Sequence, residues 1–578
     1  MLLHVIRYIP NTTKSRSRWL SSEYECPIRS HQREGIEFRG QREVSAGELS
    51  NLRNPFKQRQ RHRMPAIVET TLQTQCGQEA TRTQIRGSSL FLLGHMVSLG
   101  INFFTQVLTV RYLSTRDYGQ LAYGLALVGF FRLFASLGLQ DAIPRFVPIY
   151  REHREYGKMF GTILLAVGAV LVTGIVIVGA IWRAPLFLIP FIPHERLPPL
   201  VLLSILIVLV PIEATDALLD SLFASFAGTQ DIFFRRYLLA PGLRLGVVVL
   251  LLWMKSSIVF LAYGYVAAGA VGVLIYGGLL IKLLREQGLL QLFQFKKIAI
   301  PARETLAFVL PGLVSAIAQC VVPVNTLLMG HLRTMPEVAF YRAAVPIAEL
   351  NNIGFASFTL LYMPLAARLF ARADFRGINN LYWRTAAWMS VLSFPIFAVT
   401  FSLAKPLVIL LFGARYAPSG PVLALLSLGI FFNAIIGFNL QTLKVFEKLR
   451  YVIGVSVVTA LANLIVSTIL IKLYGVLGAA IGSTVTAILY NLLLQAGLFP
   501  TVDFHTFDRR YLSVYLTIAL GAGGLFFVGP LTSLPFYALL PFAACVCLCV
   551  FAAARRKLSI AETFPELLRL PLVRLIFA

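Results

Sequence analysis

The stretch PLVLLSILIVLVPIEATDALLD, residues 199–220, is apolar and long enough to cross a bilayer as a helix, yet its second half carries Glu213, Asp216 and Asp220. The same problem recurs on a larger scale. With 57% hydrophobic and only 14% charged residues over 578 positions, the chain is too apolar for a soluble globular protein. It reads as an all-α polytopic membrane protein. Fourteen stretches reach the roughly 20 residues that a spanning helix needs. They lie near 88–110, 119–140, 159–182, 199–222, 237–254, 258–281, 304–330, 342–366, 385–404, 420–443, 451–471, 476–499, 511–530 and 535–553.

Lys and Arg set the expected orientation. Loops after even-numbered spans, with the C-terminal tail, hold 25 of them, and the opposite loops hold 10. By the positive-inside rule this places both termini in the cytoplasm of a cell (inner or plasma) membrane protein. Residues 1–87 form a basic tail with 15 Lys or Arg, eight Glu and no Asp, too polar to bury a core and expected to be disordered. The eight glutamates argue against an organelle transit peptide. Translation from Met64, about 24 residues before the first span, is an alternative origin for this tail that N-terminal sequencing separates. The six cysteines match neither a disulfide framework nor a zinc site: Cys26 and Cys76 lie in the tail, Cys320 in an apolar segment, and Cys545, Cys547 and Cys549 alternate in one run.

An internal repeat organises the spans. Leu113, Pro144 and Gly157 recur as Leu332, Pro364 and Gly377, at offsets of 219, 220 and 220. Arg145, Arg151 and Arg154 in the first Pro-to-Gly interval answer to Arg368, Arg372 and Arg376 in the second. A repeat of six spans gives two copies with the same orientation, an N-lobe over 88–284 and a C-lobe over 304–500. Spans 13–14 (511–553) and a tail (554–578) lie outside it. Two parallel six-helix lobes with substrate between them is a transporter plan.

A charge at mid-bilayer costs about 2.5–3.5 kcal/mol on insertion scales, so such residues usually face a cavity or a partner. Glu213, Asp216 and Asp220 fall at about 0, 300 and 340 degrees around a helix, forming one stripe. Arg132 in span 2 and Arg244 in span 5 lie at similar depth, so basic and acidic groups can meet in the first lobe. An ion-paired network that only holds helices together is the alternative, and interfacial solvation suffices for Asp220. Through the repeat, Arg132 maps onto Asn352 and Asp216 onto Asn439, so the second lobe answers charge with amides. Glu349 in span 8, near Asn351, and Asn325 in span 7 are further candidates for a cavity wall. Pro211, Pro241, Pro311, Pro323 and Pro346 each interrupt a span, which frees carbonyls that a cavity or neighbour must satisfy.

Five segments, RYLSTRDYGQLAYGLAL from Arg111, GLQDAIPRF from Gly138, MPEVAFYRAAVPIAEL from Met335, LFGARYAPSGPVLALLSLG from Leu411 and LYGVLGAAIGS from Leu473, carry a family resemblance. Over roughly 85–500 the chain resembles the polysaccharide transport branch of the multidrug/oligosaccharidyl-lipid/polysaccharide flippase superfamily. Spans 13–14 are similar to an extra pair seen in some members. The resemblance implies a V-shaped, two-lobed carrier that moves a polyprenyl-diphosphate-linked oligosaccharide from the cytoplasmic to the outer leaflet. Where many members have an aspartate near the end of span 7, this chain has Asn325, so ion coupling by Na+ or H+ falls instead on Glu213, Asp216 or Glu349. A diphosphate needs cations, for which Arg132, Arg145 and Arg244 are the candidates, with Arg235 and Arg236 more simply read as topology-setting charges. Asn325, Asn352 and Asn439 are expected to line the glycan's cavity. The expected partners are the bilayer, the lipid-linked glycan, and glycosyltransferases or a polymerase of the same pathway; no nucleic acid is expected. The runner-up is a cation-coupled drug or metabolite exporter of the same superfamily, which has little use for buried arginines. A membrane glycosyltransferase or polymerase is weaker still, because every inter-span loop is short and no metal-spaced cluster or activated nucleophile is present. Neither an enzyme nor a cofactor is expected.

Overall fold

The computed structural model describes residues 94–183, 198–226, 234–318, 320–499, 508–532 and 536–558. The expected tail at 1–87, Met64, Cys26, Cys76 and positions 559–578 lie outside the described residues, as do the side chains of Arg235 and Arg236. The described chain is helical, with no strand among the described residues. The described part of each apolar stretch falls on one helix or on two in succession. These are α1 (94–112), α2 (Thr115–Ser136) with α3 (Leu139–Glu152), α4 (Tyr156–Arg183), and α5 (Pro198–Leu206) with α6 (Leu209–Phe226). Then come α7 (Ala240–Met254, entered through a wide turn at Phe234–Leu239), α8 (Ile258–Glu286), α9 (Ala302–Ala318) with α10 (Val321–Leu332), and α11 (Met335–Glu349) with α12 (Ile353–Ala371). The last are α13 (Phe375–Phe397), a short α14 (Ala404–Phe412), α15 (Ser419–Ile436) with α16 (Asn439–Val445), α17 (Leu449–Tyr474), α18 (Val476–Ala496), α19 (Leu512–Thr532) and α20 (Phe536–Leu558). Among the described residues ten helices are long and apolar enough to cross a membrane. The stretches 304–330 and 342–366 are each shared between two successive helices, α9 with α10 and α11 with α12.

Proline explains several breaks. Pro211, Pro241 and Pro323 sit within the first turn of α6, α7 and α10, where a missing N–H costs no helical hydrogen bond. Pro346 lies inside α11, one turn before the tight turn Leu350–Asn352. Between α2 and α3 the chain reverses local handedness at Leu137 and Gly138, with φ of 47° and 70°.

The repeat is written in the backbone as well as the sequence. Among the described residues, left-handed Arg154 (φ 59°) after α3 is matched by Ala373 (φ 54°) after α12, and Lys255 (φ 48°) before α8 by Gly475 (φ 59°) before α18. Ser114 caps α2, bonding to Asp117, and 220 residues on Thr334 bonds to Glu337 at the start of α11. Packing repeats too: α2 against α6, α4 against α6, α6 against α8 and α7 against α8 are matched by α11 against α15, α13 against α15, α15 against α18 and α17 against α18. α19 and α20 pack on each other and on α13, where Phe431, Phe397, Phe401 and Phe526 form a ring stack with successive centroids 4.0, 5.0 and 5.3 Å apart.

The two copies meet where α2 crosses α11. Gly119 allows the approach, because a Cβ there would lie 2.0 Å from the Met335 carbonyl oxygen. Gly129, on the same helix, has no atom within 4 Å of such a Cβ. Gly119→Val is therefore expected to destabilise the protein by on the order of 3 kcal/mol through overpacking, while Gly129→Ala leaves it unchanged or slightly more stable. Thermal unfolding of the two purified variants in detergent checks this, and equal melting temperatures would remove Gly119 from the contact.

Candidate functional site

On α6 the buried face runs through Ala214, Leu218 and Leu222, which turns Glu213 and Asp216 away from the packing interface. Both carboxylates open onto a cavity of about 510 Å³ walled by α1, α2, α6, α7, α8 and α11. Its other charged or titratable walls are His95 on α1, Arg244 on α7, Tyr265 and Tyr276 on α8, and Arg342 and Glu349 on α11. One copy of the repeat thus builds most of the chamber, and the other closes it through α11.

Glu213 is the hub of the expected network. Arg244 Nη2 donates to Glu213 Oε1 at 3.3 Å, and Arg132 Nε lies 4.0 Å from Glu213 Oε2. Magnitude decides how to read it. The Arg244 side chain is 58% exposed and that of Arg132 39%, and ion pairs so accessible contribute about 0–1 kcal/mol. Pairs that weak hold the helices together only loosely. The groups remain available to a third partner. Asp220 is not among the cavity walls, and Arg132 reaches Glu213 from outside them.

Arg145 takes a different place from the one the sequence suggests. It is exposed on α3, with its guanidinium 4.3 Å from the ring centroid of Phe308 on α9, and it lines neither described cavity. A ring face, not a phosphate site, is its described partner. The three amides are also relocated. Asn325 is fully buried: its Nδ2 donates to Ser483 Oγ at 2.7 Å, and its Oδ1 accepts from Asn463 Nδ2 at 3.1 Å. Tyr341 and Ser467 extend this network, which locks α10, α11, α17 and α18 together. Asn439 is buried at the start of α16, donating to the Asn491 carbonyl at 3.0 Å and accepting from the Leu440 N–H. Asn352 is exposed on the tight turn before α12. Buried amides in an apolar bundle find each other before they find a cavity, because an unpaired one is costly.

Arg342 is the wall residue that sequence reading missed. It stands at the first position of the apolar stretch 342–366 and lies inside α11, two helical turns from Glu349 and so on nearly the same face. Its Nε is buried with no hydrogen-bond partner among the described residues. The spacing of seven between a basic and an acidic residue was the available signal. Glu349 also borders a second cavity of about 280 Å³ among α10, α11, α15, α17 and α18, where it is the only charged wall residue among those described. Among the described residues no group of three or more His, Cys, Asp or Glu side chains is placed to hold a metal ion.

Known proteins place this architecture. The model of a family described as polysaccharide biosynthesis protein matches residues 85–370. A solved structure of the lipid II flippase MurJ in an inward closed conformation is similar in fold, with 15% identity, a TM-score of 0.62, and coverage of 83% of this chain and 100% of that one. The Vibrio cholerae MATE transporter VcmN, solved as a point mutant, is similar at 16% identity and a TM-score of 0.50, covering 73% of this chain and 99% of its own. No curated protein matches the sequence. The family model spans the first repeat and the crossing into α12, so over these residues the chain is similar to the family described as polysaccharide biosynthesis protein, and its fold is that of the flippase and MATE structures.

Proposed function

We propose that the chain is a flippase that carries a polyprenyl-diphosphate-linked oligosaccharide from the cytoplasmic to the outer leaflet by alternating access. The observation that carries this reading is the pair of arginines, Arg244 from one copy of the repeat and Arg342 from the other, on the walls of one chamber. A buried guanidinium N–H without an acceptor costs free energy, and an anion entering the chamber supplies the acceptor. Arginine forks bind phosphate oxygens in pairs, which suits a diphosphate better than a cationic drug. A chamber of about 510 Å³ is in the range of ligand sites and large enough for a diphosphate with its first sugar, while the polyprenyl chain stays in lipid. Glu213 holds Arg244 in place until substrate arrives, and Asp216 and Glu349 are the groups on which a coupling Na+ or H+ would act.

Inorganic pyrophosphate serves as a minimal probe. It is expected to raise the melting temperature of the purified carrier, and Arg244→Ala or Arg342→Ala to weaken its binding by about 1.5–3 kcal/mol, roughly ten- to hundredfold. Stabilisation by a cationic dye with none by pyrophosphate would favour the drug exporter and overturn the flippase.

A second measurement separates substrate binding from stapling. Glu213→Arg combined with Arg244→Glu restores the ion pair but inverts the charge at each position. Folded yield near wild type with lost flipping of a fluorescent polyprenyl-diphosphate sugar in proteoliposomes is the expected outcome. Recovery of both together would make the pair purely structural.

A further inference from the structure

We propose that Arg111 and Arg415 form a reciprocal clamp, each capping the helix end beside the other, that shuts the substrate path on the side of the membrane bearing the α1–α2 and α14–α15 loops. Arg111, at the end of α1, donates from Nε to the Leu411 carbonyl and from Nη2 to the Leu410 carbonyl, both at 2.6 Å. Arg415, just beyond α14, returns Nη2 to the carbonyls of Val110 and Arg111, at 2.8 and 2.5 Å. The four acceptors are last-turn carbonyls of α1 and α14, which have no partner within their own helices and carry the negative end of the helix dipole. The partners are some 300 residues apart in sequence, one from each copy of the repeat.

The clamp sits directly above a plug. Tyr416, adjacent to Arg415, is fully buried among Tyr118, Phe340 and Phe412, with ring centroids at 6.5, 5.8 and 5.6 Å. Tyr118 in turn accepts a hydrogen bond from Gln106, a wall residue of the 510 Å³ chamber. A continuous line of contacts therefore runs from the clamp through Tyr416 and Tyr118 to the cavity. The Tyr416 hydroxyl is buried with no hydrogen-bond partner among the described residues, a cost that an opened, wetted path removes. Both arginines are exposed and their acceptors are uncharged, so the clamp is made and broken without moving a charge into or out of the protein interior. At the opposite side the copies are joined by other means: Tyr150 donates to Glu304 Oε2 at 3.0 Å, and Arg145 lies over Phe308. Separate links at the two ends are what alternating access needs, since one must release while the other holds.

The clamp rests on the reading of the chain as a carrier, and its test contains no substrate, so it fails or holds independently of the cargo. In a variant with all six cysteines replaced, Asn102→Cys places a thiol on the chamber wall. Labelling by a membrane-impermeant maleimide is followed in oriented vesicles from each side. Arg111→Ala with Arg415→Ala is expected to raise the rate from the clamp side by about tenfold or more, as release of the closed state shifts the population, and to lower the rate from the other side. Arg111→Lys with Arg415→Lys keeps both charges but loses the forks, and an intermediate rate is expected. If the alanine variants fail to fold, the lysine variants alone carry the comparison. Clamp-side labelling at the parent rate in folded variants would overturn the proposal and leave the arginines as static caps.

Discussion

Inside a bilayer no water is at hand to accept or donate a hydrogen bond, so every helix break in a membrane domain must have its freed carbonyls satisfied by protein. In this chain that task falls to side chains reaching across from a neighbouring helix. Thr173 on α4 donates to the Ala135 carbonyl where α2 ends, and Trp182, also on α4, to the Ser204 carbonyl where α5 ends. Tyr382 on α13, the repeat counterpart of α4, donates to the Ile436 carbonyl at the end of α15. Asn351 covers the Ala348 carbonyl at the turn after α11 and is itself fixed to Thr400. At the loops the same device continues with Gln287 on the Phe226 carbonyl, Lys448 on that of Gly497, and Arg333 forked onto Ile471 and Lys472. Broken helices are thus tied in register to unbroken ones.

This constraint also explains why the halves differ. The second copy places its polar groups in buried amide and hydroxyl networks such as Asn325, Asn463, Ser467 and Ser483, where one side chain's donors meet another's acceptors. Such a network is rigid, because loosening any member strands several groups at once. The first copy leaves its ionisable groups around a chamber, at 3.3 and 4.0 Å in accessible pairs that yield at little cost. Rigidity and responsiveness are therefore divided between the copies, with α11 contributing Tyr341 to the network on one side and Arg342 and Glu349 to the chamber on the other.

Much of this was legible in the sequence. Periodicity and hydropathy located the helices, and the offset of 220 between Pro144 and Pro364 foretold the matched left-handed residues and caps. The depth of Arg132, Glu213 and Arg244 along their spans was enough to bring them together. What failed has one physical cause: depth and angle on a single helix do not say which neighbour a side chain meets. Asn325 and Asn439 have the right depth for a cavity wall but meet other amides, and Arg145 meets the ring of Phe308. Arg342 was passed over for the converse reason. A charge near a helix start looks interfacial in one dimension, yet the crossing of α2 and α11 at Gly119 folds that helix start over the chamber.

Glu349 occupies the point where these arguments converge. It is the charged residue common to the 510 Å³ chamber and the 280 Å³ cavity, and so it lies at the boundary between the responsive copy and the rigid one. A carboxylate there stands on nearly the same helical face as Arg342, two turns away, and across the chamber from Arg244. An anion that drew Arg342 toward Arg244 would alter the field at Glu349 without touching it, since the low-dielectric interior screens charge poorly. Under the proposed function, an anion in the chamber would therefore act on the junction by position alone, before any helix moves.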